Sequence, residues 1–238
     1  MAQEKRPFDC PYPQWTSIGG SFDIKLEIEG LKMILPNDSL LTLDAPMYNR
    51  DTSVYYMALK LRDIPTYYKN DTAVYYNFIR DVGGARAVIV QSLHKLEGAD
   101  PKSFKKIGDT PYSYDNKHVY FNGFLISGAD PKSFQPLTPY YSKDNNRVYF
   151  RNCEMKDIDT LSFKTVDNGG YYDFAYDDNY LYFYGERVKI DKNTFTFEKE
   201  GCVNCFHNSC RDKNNIYYLH GTSFDGYITK KRNVKDEW

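Results

Sequence analysis

A chain of 238 residues with 31 basic and 32 acidic side chains carries a formal charge of −1. That balance leaves out the basic face of a non-specific nucleic-acid binder or of a protein held on anionic lipid. A mean hydropathy of −0.66 with no apolar run near 18 residues leaves out a membrane-spanning helix, and an aromatic content of 17 % leaves out a disordered chain. The aromatic excess is tyrosine, 23 Tyr and 15 Phe against 2 Trp, and such residues favour strands.

In chain order, the N-terminal stretch MAQEKRPFDCPYPQW has no apolar segment of the kind a secretory signal carries, which predicts a cytoplasmic location. A periplasmic or exported location applies if a signal has been removed. Phe22 to Glu29 alternates cleanly as a half-buried strand, and Gly30 followed by Met33-Ile34-Leu35-Pro36 reads as a turn and a second strand. Residues 1–45 are therefore expected to form a β capping segment over an edge. Residues 46–97 hold two Tyr-rich hairpins, centred on Val54-Tyr55-Tyr56 and Val74-Tyr75-Tyr76, and the longest apolar run, Ala87 to Val90.

From residue 98 the chain repeats itself. The aliphatic–Tyr–aromatic pattern returns as Val119-Tyr120-Phe121, Val148-Tyr149-Phe150, Leu181-Tyr182-Phe183 and Ile216-Tyr217-Tyr218, each preceded by a polar turn opening on Asp115, Asp144, Asp177 or Asp212. A second marker, Gly98 to Phe104 (GADPKSF), recurs intact as Gly128 to Phe134. Weaker echoes end on Phe163, Phe195 and Phe224, so the phenylalanines step by 30, 29, 32 and 29 residues. The segment Arg211-Asp212-Lys213-Asn214-Asn215-Ile216-Tyr217-Tyr218 resembles the bacterial DKNYY family, and with Tyr141 to Phe150 and the two GADPKSF copies the resemblance spans about residues 98–224. The two earlier copies depart from it, with Arg50 and Asn70 where the pattern has Asp. The resemblance implies a bacterial protein of unassigned biochemistry and supplies no catalytic residues.

Each unit reads as a small meander. In residues 112–134, Tyr112 and Tyr114 alternate with polar residues, Asp115 to His118 turn, Val119 to Phe121 return, Asn122-Gly123 suits a type I′ hairpin, and Asp130-Pro131 caps a single turn anchored by Phe134. One unit buries too little to fold alone, so the expected fold is all-β with minor short helical turns: tandem antiparallel hairpin or meander repeats of about 30 residues, stacked into one array. Alternation assigns Val119 and Phe121, Val148 and Phe150, and Ile216 and Tyr218 to the core face. The middle tyrosine falls on the other face, where it is expected to pack between sheets with its hydroxyl on a turn of the next repeat. Residues 225–238 read as a polar tail.

Binding surfaces draw on positions that vary between copies, which makes the turn residues Lys117, His118, Arg147, Tyr180 and Asn215 the candidate interface. The cysteines number five, an odd set. Cys202, Cys205, His207 and Cys210 supply zinc-compatible donors, but within nine residues rather than as two separated pairs. Thiols in a loop are the reading placed ahead of a disulfide or zinc, so no metal and no cofactor is expected. No nucleophile elbow, Walker loop, HExxH or dinucleotide fingerprint occurs, and Asp177 lacks the Gly and Glu of a calcium loop. The expectation is a non-enzymatic protein-binding scaffold, most concretely an immunity protein that neutralises a cognate toxin. The alternatives are a cell-envelope carbohydrate-binding module and a cryptic carboxylate hydrolase.

Overall fold

The computed structural model describes residues 32–34, 40–42, 66–81, 89–166, 173–197, 209–221 and 226–233. Among the described residues every regular element is a strand, and every pairing is antiparallel. The strands at Phe22–Glu29 and around Tyr55 lie outside the described residues.

The first sheet has five strands, β1 (Lys32–Ile34), β2 (Leu40–Thr42), β3 (Thr66–Lys69), β4 (Val74–Asp81) and β5 (Ile89–Lys95), in the order β2-β1-β3-β4-β5. Four sequential four-stranded meanders follow. The second sheet is β6 (Lys105–Lys106), β7 (Tyr112–Tyr114), β8 (Val119–Phe121) and β9 (Phe124–Leu125). The third is β10 (Gln135–Pro136), β11 (Tyr141–Lys143), β12 (Val148–Phe150) and β13 (Cys153–Met155). The fourth is β14 (Lys164–Thr165), β15 (Phe174–Tyr176), β16 (Leu181–Phe183) and β17 (Glu186–Val188). The fifth is β18 (Thr196–Phe197), β19 (Ser209–Arg211), β20 (Asn215–Gly221) and β21 (Gly226–Asn233). Sheets one and two belong to one compact unit and sheets three to five to another, divided between Phe134 and Gln135, and each unit has its own apolar core.

Two-residue strands cannot hold a sheet by their ladder alone, so aromatic packing sets the register. Tyr112 faces Phe121, Tyr141 faces Phe150 and Phe174 faces Phe183, with ring centroids 5.4, 5.0 and 4.5 Å apart. The capped turns add a ring that bridges successive sheets. Phe104 lies 5.1 Å from Tyr67 and 5.9 Å from Tyr120, and Phe163 lies 5.8 Å from Tyr141 and 6.0 Å from Tyr182. The turns themselves contain no helix; that of Asp100 closes with one helix-like bond, Phe104 N–H to the Asp100 carbonyl.

The asparagine–glycine hairpin forms as the sequence asks. Asn122 and Gly123 have φ of 48° and 80°, the pair of positive values a type I′ turn requires. Tyr184 and Gly185 repeat it at 49° and 82°, and Arg151 stands at 57°. A tyrosine or arginine with positive φ costs on the order of 1 kcal/mol, which burial offsets here. Tyr184 packs 4.7 Å from Phe183, and the Arg151 guanidinium lies 4.7 Å from the centre of the Phe150 ring.

Four expectations need correction. Strand alternation does not separate a core face from an outer face in β8, β12 and β16, because all three residues of each strand are buried. The hydroxyl that reaches the next repeat is that of a tyrosine on the preceding strand, β3 or β11: Gly123 N–H donates to Tyr67 Oη at 3.0 Å and Gly185 N–H to Tyr141 Oη at 2.8 Å. At the chain end, residues 226–233 form β21 rather than a solvated tail, and Tyr218, assigned to the core, is 39 % exposed. Tyr218 faces outward because its neighbours Tyr217 and Leu219 turn inward, where Leu219 meets Ile228 of β21.

Phe163→Ala is expected to destabilise the fold by about 3 kcal/mol or more, as loss of a buried ring does, while Leu161→Ala, two residues away and 91 % exposed, shifts stability by less than about 0.5 kcal/mol. Denaturant titration of both variants checks this.

Candidate functional site

The site that repeats along the chain is built on one buried carboxylate. Asp115, Asp144, Asp177 and Asp212 are each at most 4 % exposed. Their Oδ1 atoms accept the backbone N–H groups two and three residues ahead at 2.7–2.8 Å, closing an Asx turn. Their Oδ2 atoms accept the hydroxyl of the middle tyrosine five residues ahead, from Tyr120, Tyr149, Tyr182 and Tyr217, at 2.7–3.1 Å. A third donor comes from the preceding capped turn: the N–H of Asp100 reaches Asp115, that of Asp159 reaches Asp177 and that of Asp191 reaches Asp212, at 3.0–3.2 Å. The Asp–x–x–x–x–Tyr spacing is thus the reach from a turn to the strand it opens.

The capped turn answers with its own acceptor. The Ser103 hydroxyl donates to Asp100 and accepts Asn116 N–H at 3.2 Å, and Ser162 does the same between Asp159 and Asp178 N–H at 2.9 Å. Thr194 accepts Lys213 N–H at 3.1 Å. Burial opposes ionisation of Asp115, Asp177 and Asp212, but the backbone N–H groups and the tyrosine hydroxyl outweigh it and hold these carboxylates below the usual aspartate range. The same burial and the adjacent anion push Tyr120, Tyr149 and Tyr182 far up, and Tyr217 to about 12, so each is a fixed hydroxyl donor. In the first sheet Asn70 stands in for Asp, its amide oxygen accepting the N–H groups of Thr72 and Ala73 at 3.0 and 2.9 Å. A neutral oxygen suffices for the turn, so that copy keeps the repeat's geometry.

Four of the five sequence-selected residues occupy one position, three after the hub, and the side chains of His118, Arg147 and Asn215 touch the middle tyrosine of their own copy. His118 packs edge-on to Tyr120 at 6.1 Å, Arg147 hydrogen-bonds Tyr149 and pairs with Glu154 at 3.6 Å, and Asn215 Nδ2 donates to Tyr217 at 3.0 Å. Tyr180 lies under the Arg187 guanidinium at 4.4 Å and is 44 % exposed. Lys117, one position earlier, is exposed with only its backbone N–H engaged by the hub.

Of the candidate zinc donors, Cys202, Cys205 and His207 lie outside the described residues. Cys210 is a fully buried thiol on β19 opposite Tyr217, in a strand rather than a loop. Cys153 is disulfide-bonded, with its partner outside the described residues. No group of three or more His, Cys, Asp or Glu is placed to hold a metal among the described residues.

The sequence reading missed one cluster, between the third and fourth sheets. Burial pushes the Asp173 carboxyl up to about 6, against the pull of the Arg151 charge and the Thr138 hydroxyl. Arg151 is 3 % exposed and also lies 5.5 Å from the centre of the Tyr140 ring, and the Asp173 carbonyl accepts Tyr184 N–H at 2.9 Å. The visible signal was a break in the repeat, Asp173 where the second and third sheets have Pro111 and Tyr140.

The two kinds of carboxylate have opposite pH signatures. Asp115, Asp177 and Asp212 bind protons less tightly folded than unfolded, so their contribution is present above about pH 4 and is lost as pH falls through their lowered values. Asp173 binds its proton more tightly folded, so its contribution weakens as pH rises from about 4 through 6. Asp173→Asn is expected to raise the melting temperature at pH 7.5 and to lose that advantage at pH 4, measured by thermal unfolding across that range. Asp177→Asn is expected to lower it at pH 7.5.

The DKNYY family model matches residues 67–221, starting at the Tyr67 strand and so including the Asn70 copy that departs from the aspartate pattern. No curated protein and no solved structure matches the chain. The match covers well over half of the sequence, and its boundaries enclose all four aspartate hubs: the chain belongs to the DKNYY family.

Proposed function

We propose that the chain is a protein-binding repeat scaffold without catalytic activity, and that its partner is a bacterial toxin that it neutralises. The observation that carries this reading is the way the repeat divides its residues. The hub carboxylates, the groups a hydrolase would draw on, are saturated by turn N–H groups and a tyrosine hydroxyl. The solvent-facing turn residues differ from copy to copy: Asn116-Lys117-His118, Asn145-Asn146-Arg147, Asp178-Asn179-Tyr180 and Lys213-Asn214-Asn215. A constant frame carrying variable tips suits recognition of one irregular protein surface. Burial of the middle tyrosines, at 0–7 % exposure, weighs against the carbohydrate alternative, which needs exposed rings as stacking platforms. The disulfide at Cys153 supports an oxidising compartment, periplasmic or extracellular, as the place where the partner is met.

The test is co-expression with the product of the adjacent gene in a host that this product inhibits. Restored growth and a complex that co-purifies are expected, with Lys117→Glu weakening the complex at unchanged melting temperature. A host that stays inhibited, with no complex formed, would contradict the reading.

A further inference from the structure

The hairpin of the second sheet carries a reactive pair that its counterparts lack. Asn122 is followed by Gly123, and a glycine, having no Cβ, leaves its backbone nitrogen unshielded beside the asparagine side chain. The corresponding positions in the third and fourth sheets hold Arg151 and Tyr184, at φ of 57° and 49° against 48° for Asn122. The turn therefore forms without an asparagine, and of the three only Asn122 sets a side-chain amide before a glycine.

The chemistry open to such a pair is intramolecular. The Gly123 nitrogen gives up its proton to solvent hydroxide and attacks Asn122 Cγ. The N–Cγ bond forms, the Cγ–Nδ2 bond breaks, and the side-chain amide leaves as ammonia, taking a proton from water. Water then opens the cyclic imide at either carbonyl, leaving aspartate or isoaspartate at position 122. In the isoaspartate the main chain runs through the side-chain carbon and is longer by one methylene.

In the folded protein the attacking nitrogen is occupied. Gly123 is buried, and its N–H donates to Tyr67 Oη at 3.0 Å, 56 residues back on β3 of the first sheet. Tyr67 is itself fully buried, so water does not stand in for its hydroxyl. Asn122 N–H donates to the Pro111 carbonyl at 2.8 Å, so the turn is held on both sides. A buried, hydrogen-bonded amide surrenders its proton only when the contact opens, as in hydrogen exchange. The added methylene of isoaspartate would fall between these two N–H groups and prevent both bonds from closing again.

We infer that Asn122 is a deamidation site of this protein and that the Tyr67 hydroxyl is its guard. The site stays closed while the first and second sheets are tied through Gly123, and their parting converts it irreversibly. The inference stands apart from the protein-binding reading.

The test is incubation of the full chain in mildly alkaline buffer, with peptide mass mapping that separates Asn122-Gly123 from the other such pair, Asn168-Gly169. Tyr67→Phe is expected to deamidate at Asn122 about tenfold faster than the unaltered chain, the weight of a buried N–H left without its acceptor. Tyr141→Phe takes the equivalent hydroxyl from Gly185 and is expected to leave the Asn122 rate unchanged. In the unaltered chain, deamidation at Asn122 and hydrogen exchange at Gly123 are expected to rise together as urea is added below the unfolding transition, a measurement that needs no variant to fold. Equal rates in Tyr67→Phe and the unaltered chain, equal acceleration by both tyrosine variants, or a Gly123 amide that exchanges freely while Asn122 stays intact overturns the guard.

Discussion

A carboxylate taken out of water has to be supplied with donors, and in this protein that requirement organises everything around it. Each hub aspartate draws in two N–H groups of its own turn, the hydroxyl of the strand that follows and, in three copies, the N–H of the capped turn that precedes. These partners come from three separate stretches of chain, so satisfying one side chain fixes a turn, a strand and the approach of the neighbouring turn together. Strands of two or three residues would be too short to define a sheet without such pins. The aromatic rings then fill the space that the hydrogen bonds have defined: Phe104 and Phe163 sit between tyrosines of successive sheets, and the hydroxyls of Tyr67 and Tyr141 tie those sheets to the next hairpin.

The same arrangement explains why one frame tolerates a varied surface. The hub uses only backbone groups from the turn positions between the aspartate and the tyrosine, so their side chains are left to vary, and the capped turn treats its second position in the same way. Lysine, leucine and asparagine occupy that position with equal backbone geometry. A surface can therefore change residue by residue without disturbing the core, which is the property a recognition scaffold needs. The seam between Arg151 and Asp173 is the exception, a place where a buried charge costs stability near neutral pH and the repeat pattern is broken on both sides.

Much of the fold was legible because its determinants are local. The period of about 30 residues, the aspartate turn, the aliphatic–Tyr–aromatic strand and the Asn122-Gly123 hairpin are each contained within a few residues of sequence. What the sequence hid was long-range. Alternation in β8, β12 and β16 suggested one buried face, but rings arriving from neighbouring segments bury the other face too, and a single strand carries no sign of them. The acceptor of the middle tyrosine's hydroxyl lies five residues back in its own repeat, across a turn that alternation ignores. Residues 226–233 read as a tail because Lys230, Lys231 and Arg232 dominate the impression, while the pairing of Ile228 with Leu219 supplies the apolar contact. Asp173 and Arg151 stand 22 positions apart in sequence and meet only through the seam. At the candidate interface, Tyr180 stands out in the sequence because its position varies between copies.

The account stands on the bond between hub and tyrosine, and a double-mutant cycle on Asp144→Asn and Tyr149→Phe measures it directly. If the buried carboxylate organises the repeat, the two substitutions are coupled by about 1.5 kcal/mol or more in equilibrium unfolding, the magnitude of a hydrogen bond to a charged group. Losses that simply add, to within about 0.5 kcal/mol, would mean that the tyrosine is held by packing alone and that the hub is not what the structure depends on.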